Sequence, residues 1–148
     1  MRVLLRVTGI AVVDVVGREH RILIVDDNAS LAQAIAVALN LQGLDTEVAL
    51  DGLTALEVAA RFRPAAVLVD LGLPLLDGFE VASRLRVFPV FGSPRLVAWT
   101  GRCDPRGRAI AYEAGFDGYL IKPARFDEIR AALVPRRTRP TFAVDRPA

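Results

Sequence analysis

Four apolar runs in this chain each end abruptly in polar residues. Arg21-Ile-Leu-Ile-Val25 runs into Asp26, Asp27 and Asn28, and Ala65-Ala-Val-Leu-Val69 runs into Asp70. Leu96-Val-Ala-Trp99 ends in Thr100 and Gly101, and Gly118-Tyr-Leu-Ile121 ends in Lys122 and Pro123. Runs of Val, Ile, Leu and Ala without polar alternation read as strands buried on both faces, which implies a parallel sheet covered by helices. Asp45 to Leu50 is a fifth, shorter strand candidate.

Helical periods fill the intervals. Ala29 to Leu41 sets Leu31, Ile35, Ala38 and Leu39 along one stripe and stops before Gly43, as a helix C-terminus should. Gly52 to Phe62 follows, with Leu53, Leu56 and Ala60 expected inward and Pro64 as the stop. Asp77-Gly78 opens a helix to Val87. Asp104-Pro105 predicts an N-cap followed by proline in the first turn, with a helix to Ala114. A last helix spans Phe126 to Leu133 and ends at Pro135. Regular alternation of five strands with five helices predicts an α/β, doubly wound, five-stranded parallel sheet with right-handed crossovers.

At 148 residues and 53% apolar, the chain supports one well-buried domain and is short for two. We expect an extension over residues 1–20, the folded unit over residues 21–134 and a flexible Arg/Pro-rich tail over residues 135–148, with no room for an output domain. The net charge of +2 does not sit on the body. Residues 1–21 carry four Arg against two acids and residues 135–148 four against one, leaving eleven cations and fourteen acids between them. No DNA-binding face is therefore expected on the folded unit. Cys103 is the single cysteine, which excludes a disulfide framework and fits a cytoplasmic setting. Arg6, Thr8 and Asp14 interrupt the apolar start, so neither a signal peptide nor a membrane span is expected.

The strand-end residues carry the chemistry. Polar groups just past the carboxyl ends of parallel strands are where open α/β sheets bind ligands. Three carboxylates gathered there would repel and raise one another's pKa unless a cation were shared. Mg²⁺ suits a site of few carboxylates and several retained waters. Lys122 is the only lysine against 18 arginines, and a compact ammonium differs from a planar guanidinium where a point charge must reach a phosphate.

In order and placement these residues resemble the receiver domain of two-component response regulators, of CheY-like fold, over Arg21 to Leu133. The resemblance implies strand order 2-1-3-4-5 and a stand-alone, stoichiometric phosphoacceptor with slow self-dephosphorylation at most, not a turnover enzyme. It makes Asp70 the acceptor of a phosphoryl group from a sensor histidine kinase or histidine phosphotransfer protein. It makes Asp27 a direct Mg²⁺ ligand, Asp26 one acting largely through water, and the Gly72 carbonyl a further ligand. Thr100 and Lys122 would bind phosphoryl oxygens, Tyr119 would follow Thr100 as a switch, and Pro123 would follow a cis peptide. A downstream protein would read the switched state, and homodimerisation is left open.

Pro74, Asp77 and Gly78 match the family loop, whereas Leu75 stands where small residues are common. Leu75 and Leu76 are expected to meet a partner. Ala124 replaces a frequent aromatic, delayed here to Phe126. His20 and Cys103 carry no expected role. Two other readings compete: an Asp-nucleophile, Mg²⁺-dependent phosphatase of the haloacid-dehalogenase type, and a degenerate receiver kept as a protein-interaction module. The first needs an acid two residues after its nucleophile, where Gly72 stands after Asp70. The second should lack a motif residue, and none is missing.

Overall fold

The computed structural model describes residues 18–101 and 105–135. Residues 1–17, Cys103, the expected cap Asp104 and residues 136–148 lie outside that range. The elements are β1 (Arg21–Val25), α1 (Ala29–Leu41), β2 (Asp45–Ala49), α2 (Gly52–Phe62), β3 (Ala66–Asp70), α3 (Gly78–Val87), β4 (Arg95–Thr100), α4 (Pro105–Glu113), β5 (Gly118–Ile121) and α5 (Phe126–Leu133). The strands form one parallel sheet in the order β2-β1-β3-β4-β5. Three helices begin on side-chain caps: Asn28, Asp51 and Asp77 accept from the amides of Leu31, Thr54 and Glu80, each satisfying a donor the first turn leaves open. Among the described residues no helix is long and apolar enough to cross a membrane.

Strand parity splits the core into two layers. Leu23, Val25, Val67, Val69, Leu96 and Ala98 pack under α2 and α3. Ile22, Ile24, Ala66, Leu68, Val97 and Trp99 pack under α1 and α5. Successive strand residues face opposite sides, so the same rule assigns the polar residues that extend each run. Asp26, Asp70 and Lys122 continue the parity of the α1/α5 layer, and Thr100 and Tyr119 continue the other.

Two helix faces differ from expectation. In α2, Leu53 is 51% exposed and Ala60 is exposed, while Ala55, Val58 and Ala59 are buried. Both stripes satisfy a 3.6-residue period, and the small side chains win because they let the helix approach the sheet. In α1, Ala32 and Ala36 join Ile35 and Leu39 inside, whereas Leu31 and Ala38 are only half buried. His20 sits exposed in a short 3₁₀ turn, Arg18–His20, ahead of β1.

A close approach fixes α3 beneath the acidic rim. A Cβ added at Gly78 would lie 2.5 Å from the Asp70 carbonyl oxygen and 2.9 Å from Leu71 Cα, both backbone atoms with little room to yield. Gly78→Ala is expected to lower stability by about 2 kcal/mol through overpacking. A drop in the urea midpoint with an unchanged slope is the check.

Candidate functional site

The four runs deliver their terminal residues to one rim. Asp26 leaves β1, with its amide bonded to the Ala49 carbonyl of β2 at 3.1 Å. Asp70 and Thr100 close β3 and β4. Lys122 leaves β5 with its amide donating to the Thr100 carbonyl at 2.7 Å. Asp26, Asp70 and Thr100 are buried, whereas Asp27 is exposed. Oxygen atoms of Asp26, Asp27 and Asp70 lie within 4.8 Å of one another, a hard, all-oxygen donor set suited to a divalent cation that keeps waters.

Lys122 ties this cluster together. Its ammonium donates to Asp26 Oδ2 at 2.7 Å and to Asp70 Oδ2 at 3.3 Å. Asp26 also accepts from the Asn28 amide at Oδ1, 2.8 Å, and from Trp99 Nε1 at Oδ2, 2.9 Å. Burial pushes the Asp26 carboxyl up, but hydrogen bonds from Lys122, Asn28 and Trp99 outweigh it and hold the pKa below the usual carboxylate range. Burial likewise pushes Lys122 down, and the charges of Asp26 and Asp70 more than reverse it. Asp26 is therefore not driven toward protonation. Lys122 supplies a positive charge within the chain to two of the three carboxylates, Asp26 and Asp70.

The remaining expected residues fall as follows. Asp70 Oδ1 accepts from the Gly72 amide at 2.9 Å, so Gly72 touches the site through its N–H, and its carbonyl remains only an implied ligand. The Lys122–Pro123 peptide is cis. Tyr119 is buried in the layer that Thr100 faces, with the Arg108 guanidinium 5.6 Å from its ring centre. Leu75 is 86% exposed at φ +69°, while Leu76 packs against the core. The expectation that both leucines face a partner is thus corrected for Leu76. Ala124 and Phe126 border an apolar groove of about 420 Å³ between α1 and α5, with Leu31, Ile35, Trp99 and Ile129 as further walls.

Sequence reasoning missed Trp99. The indole packs in the layer of α1 and α5, and its N–H reaches Asp26, a contact the sequence reading left out. The signal was strand parity: Ile22, Ile24 and Asp26 share a side with Val97 and Trp99, and only β3 stands between those strands.

The family model described as the response regulator receiver domain matches residues 22–134. The chain belongs to that family. It is 36% identical over 130 residues to the response regulator MprA of a Mycobacterium species, strain KMS, covering 86% of this chain and 56% of that protein. The chain thus spans about half the length of the curated relatives it matches. A response regulator from Burkholderia pseudomallei, solved with a phosphorylated aspartic acid, calcium and citrate, superposes with TM-score 0.70 at 29% identity, covering 76% of this chain and 65% of that one. The receiver domain of a Pseudomonas aeruginosa sensor histidine kinase, with magnesium in its active-site cleft, superposes with TM-score 0.69 at 30% identity, covering 77% and 93%. This family is a phosphoacceptor signalling domain rather than an ordinary enzyme, which displaces the phosphatase reading.

Proposed function

We propose that residues 21–134 act as a phosphoaccepting receiver in a two-component phosphorelay, with Asp70 as acceptor. The observation that carries the reading is the Lys122 ammonium held between Asp26 and Asp70 beside the exposed Asp27. A carboxylate oxygen of Asp70 would attack the phosphorus of a phosphohistidine; the P–N bond breaks, its electrons leave with the imidazole, and an acyl phosphate forms. Asp70 is buried but its Oδ1 is oriented by the Gly72 amide, which favours one attack direction. Thr100 and Lys122 would meet the charge that develops on the phosphoryl oxygens.

Asp27, Asp26, Asp70 and the Gly72 carbonyl would hold Mg²⁺, and their all-oxygen donor set fits it. When bound, that ion would neutralise phosphoryl charge during transfer. The donor would be a sensor histidine kinase or histidine phosphotransfer protein of the cytoplasm. Movement of Thr100 toward the phosphoryl group, followed by Tyr119 on the same side of the sheet, would remodel the face of α4, β5 and α5 for a downstream protein. Only differential binding by that protein moves the populations.

Incubation with acetyl phosphate and Mg²⁺ is expected to add one phosphoryl mass, located on the peptide bearing Asp70. Chelation should abolish it, and Asp70→Asn should show none. Phosphoryl mass on Asp70→Asn at parental yield would reject the assignment.

A further inference from the structure

Trp99 contributes two contacts to the acidic rim. Its indole is 2% exposed and its N–H donates to Asp26 Oδ2 at 2.9 Å. The Lys122 ammonium reaches the same oxygen at 2.7 Å and stands 4.7 Å from the indole ring centre. A carboxylate oxygen offers two in-plane lone pairs, so Asp26 Oδ2 is fully occupied by Trp99 and Lys122. The Asn28 amide holds the other oxygen.

Lys122 lies closer to Asp26 than to Asp70, at 2.7 Å against 3.3 Å. A phosphoryl oxygen on Asp70 would compete with Asp26 for the ammonium, whose shorter bond is the one to Asp26. Asp26 is 0% exposed, and a buried carboxylate stripped of partners is strongly unfavourable. An aliphatic residue at position 99 would leave Oδ2 to Lys122 alone.

We infer that Trp99 is a positioning residue: its N–H keeps Asp26 satisfied while its ring face accepts the ammonium, so that Lys122 is free to turn toward Asp70. The first part stands on the geometry alone; the turn toward a phosphoryl group rests on the phosphoacceptor reading. An N–H donor competing for Oδ2 weakens the Lys122–Asp26 bond, and the aromatic face offers the moving cation a second favourable contact. The first effect lowers the cost of releasing Lys122, while the ring contact is already made in the Asp26-bound position and steadies the ammonium beside both carboxylates.

The chain has a single tryptophan and a single lysine, which makes the test site-specific. Residue-wide replacement of tryptophan by benzothienylalanine swaps the N–H for sulfur and keeps the ring. Trp99→Phe serves as a second variant lacking the donor. Lysine labelled with ¹⁵N then reports Lys122 Nζ alone in the full-length protein. Without the N–H, Oδ2 should grip the ammonium more tightly, shifting the Nζ resonance and slowing its proton exchange with water. Affinity for beryllofluoride with Mg²⁺ should fall about tenfold, the scale of one hydrogen bond to a charged group. An unchanged Nζ resonance and exchange rate in both variants would overturn the assignment. So would equal beryllofluoride affinity where the parent binds. A parent that does not bind beryllofluoride would overturn the phosphoacceptor reading instead, with the Nζ signal still deciding the role of Trp99.

Discussion

Lys122→Arg is expected to slow phosphorylation from acetyl phosphate at least about tenfold at saturating Mg²⁺, although the charge is kept. The ammonium is a point donor that serves carboxylates on two strands and rests over an indole. A guanidinium is a planar fork that matches one carboxylate at a time. Its best geometry would be bidentate on Asp26 or on Asp70, and either choice abandons the other. Parental rates in the Arg variant would show that the lone lysine is an accident of composition.

Lys122→Met separates charge from shape. Removing one partner of a largely buried pair costs about 3 kcal/mol, and Mg²⁺ should restore part of that loss by replacing the missing positive charge. The pH dependence follows from the directions of the shifts. Asp26 is lowered from 3.8, so its contribution is present above that pH and is lost as pH falls through the folded value. Lys122 is raised from 10.5, so its contribution is full below that pH and is lost as pH rises through the folded value. The parent should therefore lose stability on both flanks, and Lys122→Met should lack the alkaline decline due to this pair. Urea titrations at acid, neutral and alkaline pH are the check; matching alkaline declines would contradict it.

Strand-level organisation was legible because the parallel strands are buried on both faces and their runs are uninterrupted. All five helices begin and end within a residue of their expected bounds, and Asp77 opens the third as expected, whereas the caps Asn28 and Asp51 were not anticipated. The inward face of α2 was not legible, since Leu53 and Ala55 head two stripes of equal period and only contact with the sheet chooses between them. The rim was legible as a set of strand ends, because topology alone brings those ends together. Its internal wiring was not. Which carboxylate Lys122 prefers depends on tenths of an ångström, and the reach of the Trp99 N–H across β3 depends on a rotamer that periodicity does not specify.

That wiring gives the adjacent acids Asp26 and Asp27 opposite expected phenotypes. Asp26→Ala removes the acceptor of Lys122, Trp99 and the Asn28 amide together. The indole N–H and the ammonium would each lose a buried partner, so stability in the absence of metal should fall by about 3 kcal/mol. Asp27 is exposed and unburdened by that network, so Asp27→Ala should leave the urea midpoint within the range of an ordinary surface change, about 0.5 kcal/mol. Mg²⁺ affinity should respond in the reverse order. Asp26 has three of its four lone-pair sites taken by N–H donors, whereas Asp27 can offer its carboxylate to an ion without breaking a buried bond. Asp27→Ala is therefore expected to weaken Mg²⁺ binding about tenfold or more and Asp26→Ala by less. Calorimetric titration of both variants, alongside their urea curves, decides the matter. Equal affinities would remove the distinction between direct and indirect ligand, and a destabilised Asp27→Ala would show that the exposed acid is part of the buried network after all.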